Sequence, residues 1–355
     1  IASCLVGSEM CIRDRPSKHQ FPVEPGQTVL DGALAAGIVL PYSCRNGACS
    51  TCKGKVVSGE FDAGQYPAQI LSPEELADGY TLFCQARPAS DLVVESTEVR
   101  LASDIQIRKL PSRVQTMERA APDVTVLKLQ LPASEQFRYY AGQYIEVILK
   151  DGRRRSYSMA GAPHTGSPLE LHIRHMPGGL FTDHVFGAGD TQMKEREILR
   201  LEGPFGSFFL REDSDKPIIL LASGTGFAPV KAIVEHMIHK NIRRPVSLYW
   251  GGRRPRDLYM DALAQSWTEA LPDFRYVPVV SNALQEDNWT GRDGFVHEAV
   301  LHDIADMSGY QVYACGAPPM VDAARREFSA QRGLPPEEFY ADAFTSEADL
   351  AKAAP

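Results

Sequence analysis

The run CRNGACSTC, residues 44 to 52, places Cys44, Cys49 and Cys52 within nine positions, and a fourth cysteine follows at Cys84. Thiols this close are either bridged or hold a metal, and both choices fix the loop that carries them. The first fifteen residues, IASCLVGSEMCIRDR, have no cationic region ahead of an apolar core and no small-residue cleavage site, so they do not read as a secretory signal. A disulfide framework is then not expected, because cytoplasmic thiols stay reduced. That leaves a metal. Structural zinc usually pairs two close-spaced couples, whereas here one ligand stands alone at Cys84.

The C-x4-C-x2-C spacing with a distant fourth cysteine resembles that of plant-type ferredoxins, which implies a [2Fe-2S] cluster on Cys44, Cys49, Cys52 and Cys84. Gly47, Ala48 and Ser50 are small enough to let backbone N–H groups reach the cluster sulfurs. Upstream, HQFPVEPGQTVLDGALAAGIVLP reads as a strand, a turn and a short helix capped at Thr28 or Asp31. Downstream, CKGKVVSGEFD alternates as a strand does, and SPEELADGY carries Ser72, Pro73 and Glu75 in capping-box order. Residues 1 to 15 resemble a translated sequencing adapter and are expected to be a non-native extension, so Cys4 and Cys11 are set aside. The piece EMCIRDR could nonetheless fill the slot of a first strand beside HQFPVEPG.

With 355 residues the chain has room for two or three domains. Its formal charge of −8 argues against a nucleic-acid partner, and no apolar run approaches the roughly 18 residues of a membrane span. A soluble cytoplasmic protein is expected. Beyond residue 102 come short alternating strands punctuated by Gly and Pro, the pattern of an antiparallel barrel. From DKPIILLASGTGFAPVKAIVEHMIHK onward, apolar runs, glycine turns and amphipathic helices alternate, as in a parallel α/β sheet.

A barrel carrying RSYS followed by an α/β domain carrying GTGFAP resembles the ferredoxin-NADP reductase superfamily of flavin enzymes. The order ferredoxin, flavin domain, nicotinamide domain is similar to that of reductase components of multicomponent oxygenases. The runs HIRHMPGGLFTDHVF, DIQIRK and FYADAF resemble the subfamily of CDP-6-deoxy-Δ3,4-glucoseen reductases. The resemblance implies an α/β plus β protein: a β-grasp ferredoxin domain over residues 16–102, an antiparallel β-barrel FAD domain over 103–212 and a parallel α/β NAD(P) domain over 213–355. A few extra residues around Gly189 to Gln192 fall in a surface connection.

Each site residue has a chemical task. Arg155 suits a flavin pyrophosphate, Tyr157 the isoalloxazine face, and Ser158 the vicinity of N5, while Arg153 and Arg154 read as an exposed basic turn. The resemblance adds His172, in HIRHMPGG, as a further cofactor contact. Gly178 and Gly179 turn into a helix whose first N–H groups, with Thr182, suit a phosphate. Gly224, Thr225, Gly226 and Pro229 form a strand-to-helix turn for a dinucleotide, though not the GxGxxG fingerprint. The resemblance places Cys315 beside the nicotinamide, with Gly316, Pro318 and Met320 shaping its pocket. Gly252 and Arg253 fall where the adenosine ribose is expected. There Arg253, Arg254 and Arg256 suit a 2′-phosphate or act as solvated neighbours of Asp257, which leaves NADH and NADPH both open. Phe344 is a candidate cover for the second flavin face, with Asp342 as its polar neighbour, or belongs to ordinary core packing.

Nicotinamide gives two electrons as one hydride and an iron–sulfur cluster carries one at a time, so a flavin between them must take pairs and release singles. The expected function is an NAD(P)H-dependent reductase passing electrons through FAD and [2Fe-2S] to a partner protein, either a sugar dehydrase or an oxygenase component. A redox-sensing module without turnover is the rival reading.

Overall fold

The computed structural model describes residues 9–15, 17–101 and 105–345, and Cys4 lies outside them. Two compact units emerge, one built on the chain up to Asp104 with the segment from Asp342 onward, the other on Ile105–Ala341.

The first unit opens with β1 (Met10–Asp14) and β2 (Gln20–Val23), then α1 (Val29–Ala35) and β3 (Ile38–Val39). After the cysteine loop come β4 (Lys53–Ser58), β5 (Phe61–Asp62), α2 (Pro73–Ala77), β6 (Tyr80–Leu82), β7 (Arg87–Pro88), β8 (Leu92–Glu95) and β9 (Arg100–Leu101). The main sheet runs β2-β1-β8-β4-β6, with β1 antiparallel to β2 and parallel to β8. The EMCIRDR piece therefore supplies an interior strand of this sheet, and its Ile12 is wholly buried. Both expected helix starts are present. Thr28 accepts from the Asp31 N–H at the head of α1, and Ser72 and Glu75 close a reciprocal capping box on α2.

In the second unit, β10 (Arg108–Ala121), β11 (Val124–Gln130), β12 (Tyr144–Ile148), β13 (Arg154–Ser158), β14 (Leu169–Arg174), α3 (Leu180–Phe186) and β15 (Ile198–Phe205) come first. Their strands make an antiparallel sheet, β13-β12-β15-β10-β11-β14, and a bridge between Met159 and Leu171 links the end of β13 to β14. Alternate side chains of these strands bury a core that includes Val114, Leu127, Leu129, Ile145, Val147, Leu171 and Leu201. Each such side chain contributes roughly 1.5–3 kcal/mol over exposure. The expected insertion lies in the exposed connection between α3 and β15.

The α/β part holds β16 (Ile218–Ser223), α4 (Phe227–Lys240), β17 (Val246–Gly252), α5 (Asp261–Ala270), β18 (Phe274–Val280), β19 (Arg292–Asp293), α6 (Val296–Asp303), β20 (Gln311–Gly316), α7 (Pro318–Arg332) and β21 (Phe339–Ala343). The sheet order is β19-β18-β17-β16-β20-β21, and β16 is parallel to both β17 and β20. Strands buried on both faces read as continuous apolar runs, as β16 does. The chain leaves β16 toward β17 on one side, while β20 returns on the other. The carboxyl ends of β16 and β20 therefore flank the switch point, where such sheets bind ligands. No helix among the described residues is long and apolar enough to cross a membrane.

Candidate redox and nucleotide sites

The four cysteines meet in the first unit as two hydrogen-bonded pairs, Cys44 with Cys49 and Cys52 with Cys84. Within each pair one thiol accepts from the other. That contact holds Cys49 and Cys84 below the ordinary cysteine value and, with burial, pushes Cys44 and Cys52 above it. Cys49, Cys52 and Cys84 are buried and Cys44 is half-buried. The backbone of Asn46 reaches Cys44, that of Thr51 reaches Cys49, and that of Gly47 reaches Cys84. Gln85 Nε2 adds a donor 3.7 Å from Cys84 Sγ. Among the described residues no three metal-binding side chains group around a single ion. A 2+2 set of sulfurs is the donor arrangement of two irons with two thiolates each, so these residues fit a [2Fe-2S] centre better than one tetrahedral zinc. Immediately before Cys44, the buried Ser43 donates to Asp342 Oδ1 at 2.5 Å. That bond gives Asp342 a partner in the cluster loop. Phe344, in the same unit, is half-buried.

Strand β13 alternates faces, which puts Arg155 and Tyr157 on one side and Arg154 on the other. Arg154 lies 2.6 Å from both Glu146 and Glu202, and Arg153 is tied to Asp151 at 2.8 Å. Tyr157 packs against Phe181 of α3 with ring centroids 5.4 Å apart, so RSYS and the Gly178–Gly179 turn come together. Thr182 does not stand free: its hydroxyl donates to the Met176 carbonyl at 2.8 Å, and Asp183 accepts from the Gly178 N–H at 3.1 Å. His172 sits in the interior of β14. Its side chain is fully buried between Glu170, 3.0 Å from Nε2, and Tyr259, 2.8 Å from Nδ1.

The two nucleotide motifs adjoin at the switch point. A Cβ on Gly226 would lie 2.2 Å from the Cys315 carbonyl oxygen, and the Ala317 N–H donates to Ser223 Oγ at 2.9 Å. Cys315 is wholly buried, Pro318 opens α7 with Met320 in its first turn, and Pro229 sits in the first turn of α4. After β17, Asp257 accepts from the N–H groups of Arg253 and Arg254. Arg254 itself is held by Asp287, at 2.5 and 2.7 Å, and by Glu286 at 3.0 Å. Gly252 ends β17, with the exposed Arg253 beyond it.

Arg174, at the end of β14, is a residue that the motifs did not single out. Its Nη1 lies 2.6 Å from where a Cβ on Gly224 would stand. Its Nη2 is buried and has no hydrogen-bond partner among the described residues, while Nε lies 3.2 Å from Asp123. The only signal in the sequence was one arginine in LHIR, four residues before the Gly178–Gly179 pair.

Comparison with known proteins agrees with this geometry. Residues 12–89 match the 2Fe-2S iron-sulfur cluster binding domain, 111–210 the oxidoreductase FAD-binding domain and 220–326 the oxidoreductase NAD-binding domain. The chain is 41% identical over 333 residues to the CDP-6-deoxy-L-threo-D-glycero-4-hexulose-3-dehydrase reductase of Yersinia pseudotuberculosis, covering 94% of this chain and 98% of that one. It is 35% identical over 328 residues to a reductase component of the terephthalate 1,2-dioxygenase of Comamonas, covering 92% and 94%. The cytochrome P450 reductase GcoB of Amycolatopsis superposes with a TM-score of 0.75 at 34% identity, over 95% of this chain and 99% of that one. The chain belongs to the family of iron–sulfur flavoprotein reductases that join a 2Fe-2S domain, an FAD-binding domain and an NAD-binding domain in one polypeptide. It is an NAD(P)H-dependent oxidoreductase, and a sensing module without turnover finds no support among these relatives.

Proposed function

We propose that this chain draws electrons from NAD(P)H and delivers them to a CDP-6-deoxy-4-hexulose 3-dehydrase. The end-to-end identity of 41% with a dehydrase reductase carries this reading. A bound flavin would supply the conversion of one hydride, two electrons and a proton, into single electrons, which a bound [2Fe-2S] cluster would carry onward one at a time with the proton released to solvent.

The chain's own residues hold and orient these groups. Cys44, Cys49, Cys52 and Cys84 would hold the cluster, and the backbone of Asn46, Gly47 and Thr51 would stabilise negative charge on the sulfurs. Arg155 meets the flavin pyrophosphate and Tyr157 offers its ring, with Ser158 beside it, within a sheet we read as a closed barrel. Gly224, Thr225 and Gly226 let the dinucleotide approach the backbone. The unpartnered Arg174 Nη2 faces that loop as a counter-charge for its pyrophosphate. Cys315 and Gly316 bound the nicotinamide side.

The test is coupled turnover. Mixed with NADH, the dehydrase and its CDP-sugar, the protein is expected to oxidise NADH only when both dehydrase and sugar are present. Acceleration by an aromatic-ring oxygenase component instead, with none from the dehydrase, would transfer the protein to the second reading, which the 35% identity with a dioxygenase reductase supports.

A further inference from the structure

A buried chain of polar side chains runs through the second unit, outside the cofactor contacts proposed above. Tyr259 O–H reaches His172 Nδ1 at 2.8 Å, and His172 Nε2 lies 3.0 Å from Glu170 Oε1. Lys231 Nζ sits 3.2 Å from the same Oε1, 2.9 Å from Glu235 Oε1 and 3.4 Å from the Ala160 carbonyl oxygen. The His172 side chain is 0% exposed and that of Lys231 is 9% exposed.

The donor directions follow from burial. Desolvation lowers the His172 pKa and keeps its ring neutral, so Nε2–H donates to the Glu170 carboxylate and Nδ1 accepts from Tyr259. Desolvation also holds the proton on Tyr259. Burial alone would raise Glu170, but the His172 hydrogen bond and the Lys231 charge outweigh it and hold the carboxyl at about 2. Buried ion sets of this kind are weak sources of stability, whereas their directional bonds fix geometry.

The network joins the segments that build the hydride site. Ala160 follows RSYS, Glu170 and His172 share β14 with Arg174, Lys231 lies on α4 five residues beyond Gly226, and Tyr259 ends the loop after Gly252. We infer that Lys231 is a positioning residue for hydride transfer: clamped by Glu170 and Glu235 and turned to the Ala160 carbonyl, it sets the spacing between the flavin strand and the nucleotide loop. This rests on the chain being an NAD(P)H-to-flavin reductase. Reacting atoms must stand about 3–3.5 Å apart, and a misplacement of about 1 Å costs on the order of a hundredfold in rate.

The experiment is anaerobic stopped-flow mixing of NADH with FAD-loaded wild type, Lys231→Met, Glu170→Gln and Lys231→Arg. Lys231→Met and Glu170→Gln are expected to keep FAD and a near-normal KM, to lose on the order of tenfold or more in the rate of flavin bleaching at saturating NADH, and to lose the long-wavelength charge-transfer band. Lys231→Arg should restore part of both. An unchanged rate and band in either FAD-loaded variant overturns the inference. So does loss of FAD or of fold in both variants, since the network would then be structural. A wild type that NADH does not bleach overturns the reductase reading itself, a separate result read on a different protein.

Discussion

Gly226 turns its Cα toward the Cys315 carbonyl, and the 2.2 Å that a Cβ would leave there cannot be relieved by rotating a side chain. Overpacking of this kind costs about 1–3 kcal/mol. Gly226→Ala is therefore expected to weaken NADH binding by about five- to hundredfold while FAD content stays normal, as titration of the reduced-flavin spectrum would show. Arg155 shares a face with Tyr157, whereas Arg153 is occupied by Asp151, so Arg155→Ala should lower FAD retention and Arg153→Ala should not. Equal flavin content in the two variants would remove Arg155 from the site. Arg254 is paired with Asp287 and Glu286, which competes with a 2′-phosphate for its guanidinium and favours NADH as the donor to be tested. Asp287→Asn should release it and narrow the ratio of NADH to NADPH turnover, and an unmoved ratio would count against this reading. At this scale the sequence was legible where chemistry is local: the cysteine spacing identified a loop in which Cys44, Cys49 and Cys52 do converge. The bond between His172 and Tyr259 was not legible, because the two residues lie 87 positions apart and no local pattern announces it.

Strand β1 shows the same limit for elements. Its caps and turns are local, yet its worth comes from β8, some eighty residues on, to which Ile12, Arg13 and Asp14 pair in parallel with Leu92, Val93 and Val94. A segment that reads as foreign by composition therefore holds an interior place in the sheet, with Ile12 and Asp14 wholly buried. Removing residues 1–8 is expected to leave cluster and flavin intact. Removing residues 1–15 should open the sheet between β2 and β8 and abolish cluster assembly, while NADH still bleaches the flavin, whose domain draws no strand from this region. Iron content and the visible spectrum of both truncations decide it, and a full cluster in the longer deletion would show β1 to be dispensable. The capping box at Ser72 and the cap at Thr28 were readable because each is completed within four residues. The orders β13-β12-β15-β10-β11-β14 and β19-β18-β17-β16-β20-β21 were not readable, since strand neighbours are chosen by burial across the whole sheet.

At the scale of the molecule, the residues that match the 2Fe-2S domain and those that match the FAD- and NAD-binding domains fall in different compact units: the four thiols proposed as cluster ligands lie before residue 104, and RSYS, GTGFAP and CGAPPM lie within Ile105–Ala341. Damage to one should then spare the other. Cys84→Ser removes the sulfur that Cys52 is hydrogen-bonded to and that Gly47 and Gln85 approach, and serine oxygen is a harder ligand than thiolate. The cluster is expected to be lost or crippled, with iron content and the visible bands falling together. Hydride transfer to flavin needs none of these groups, so NADH-driven reduction of ferricyanide, which takes electrons directly from flavin, should largely survive. Reduction of cytochrome c or of the dehydrase should fall steeply if, as proposed, both draw on the cluster. If both activities survive together in a protein shown to lack iron, electrons reach the partner straight from the flavin, and the pairs at Cys44–Cys49 and Cys52–Cys84 hold a centre that shapes the domain without carrying current.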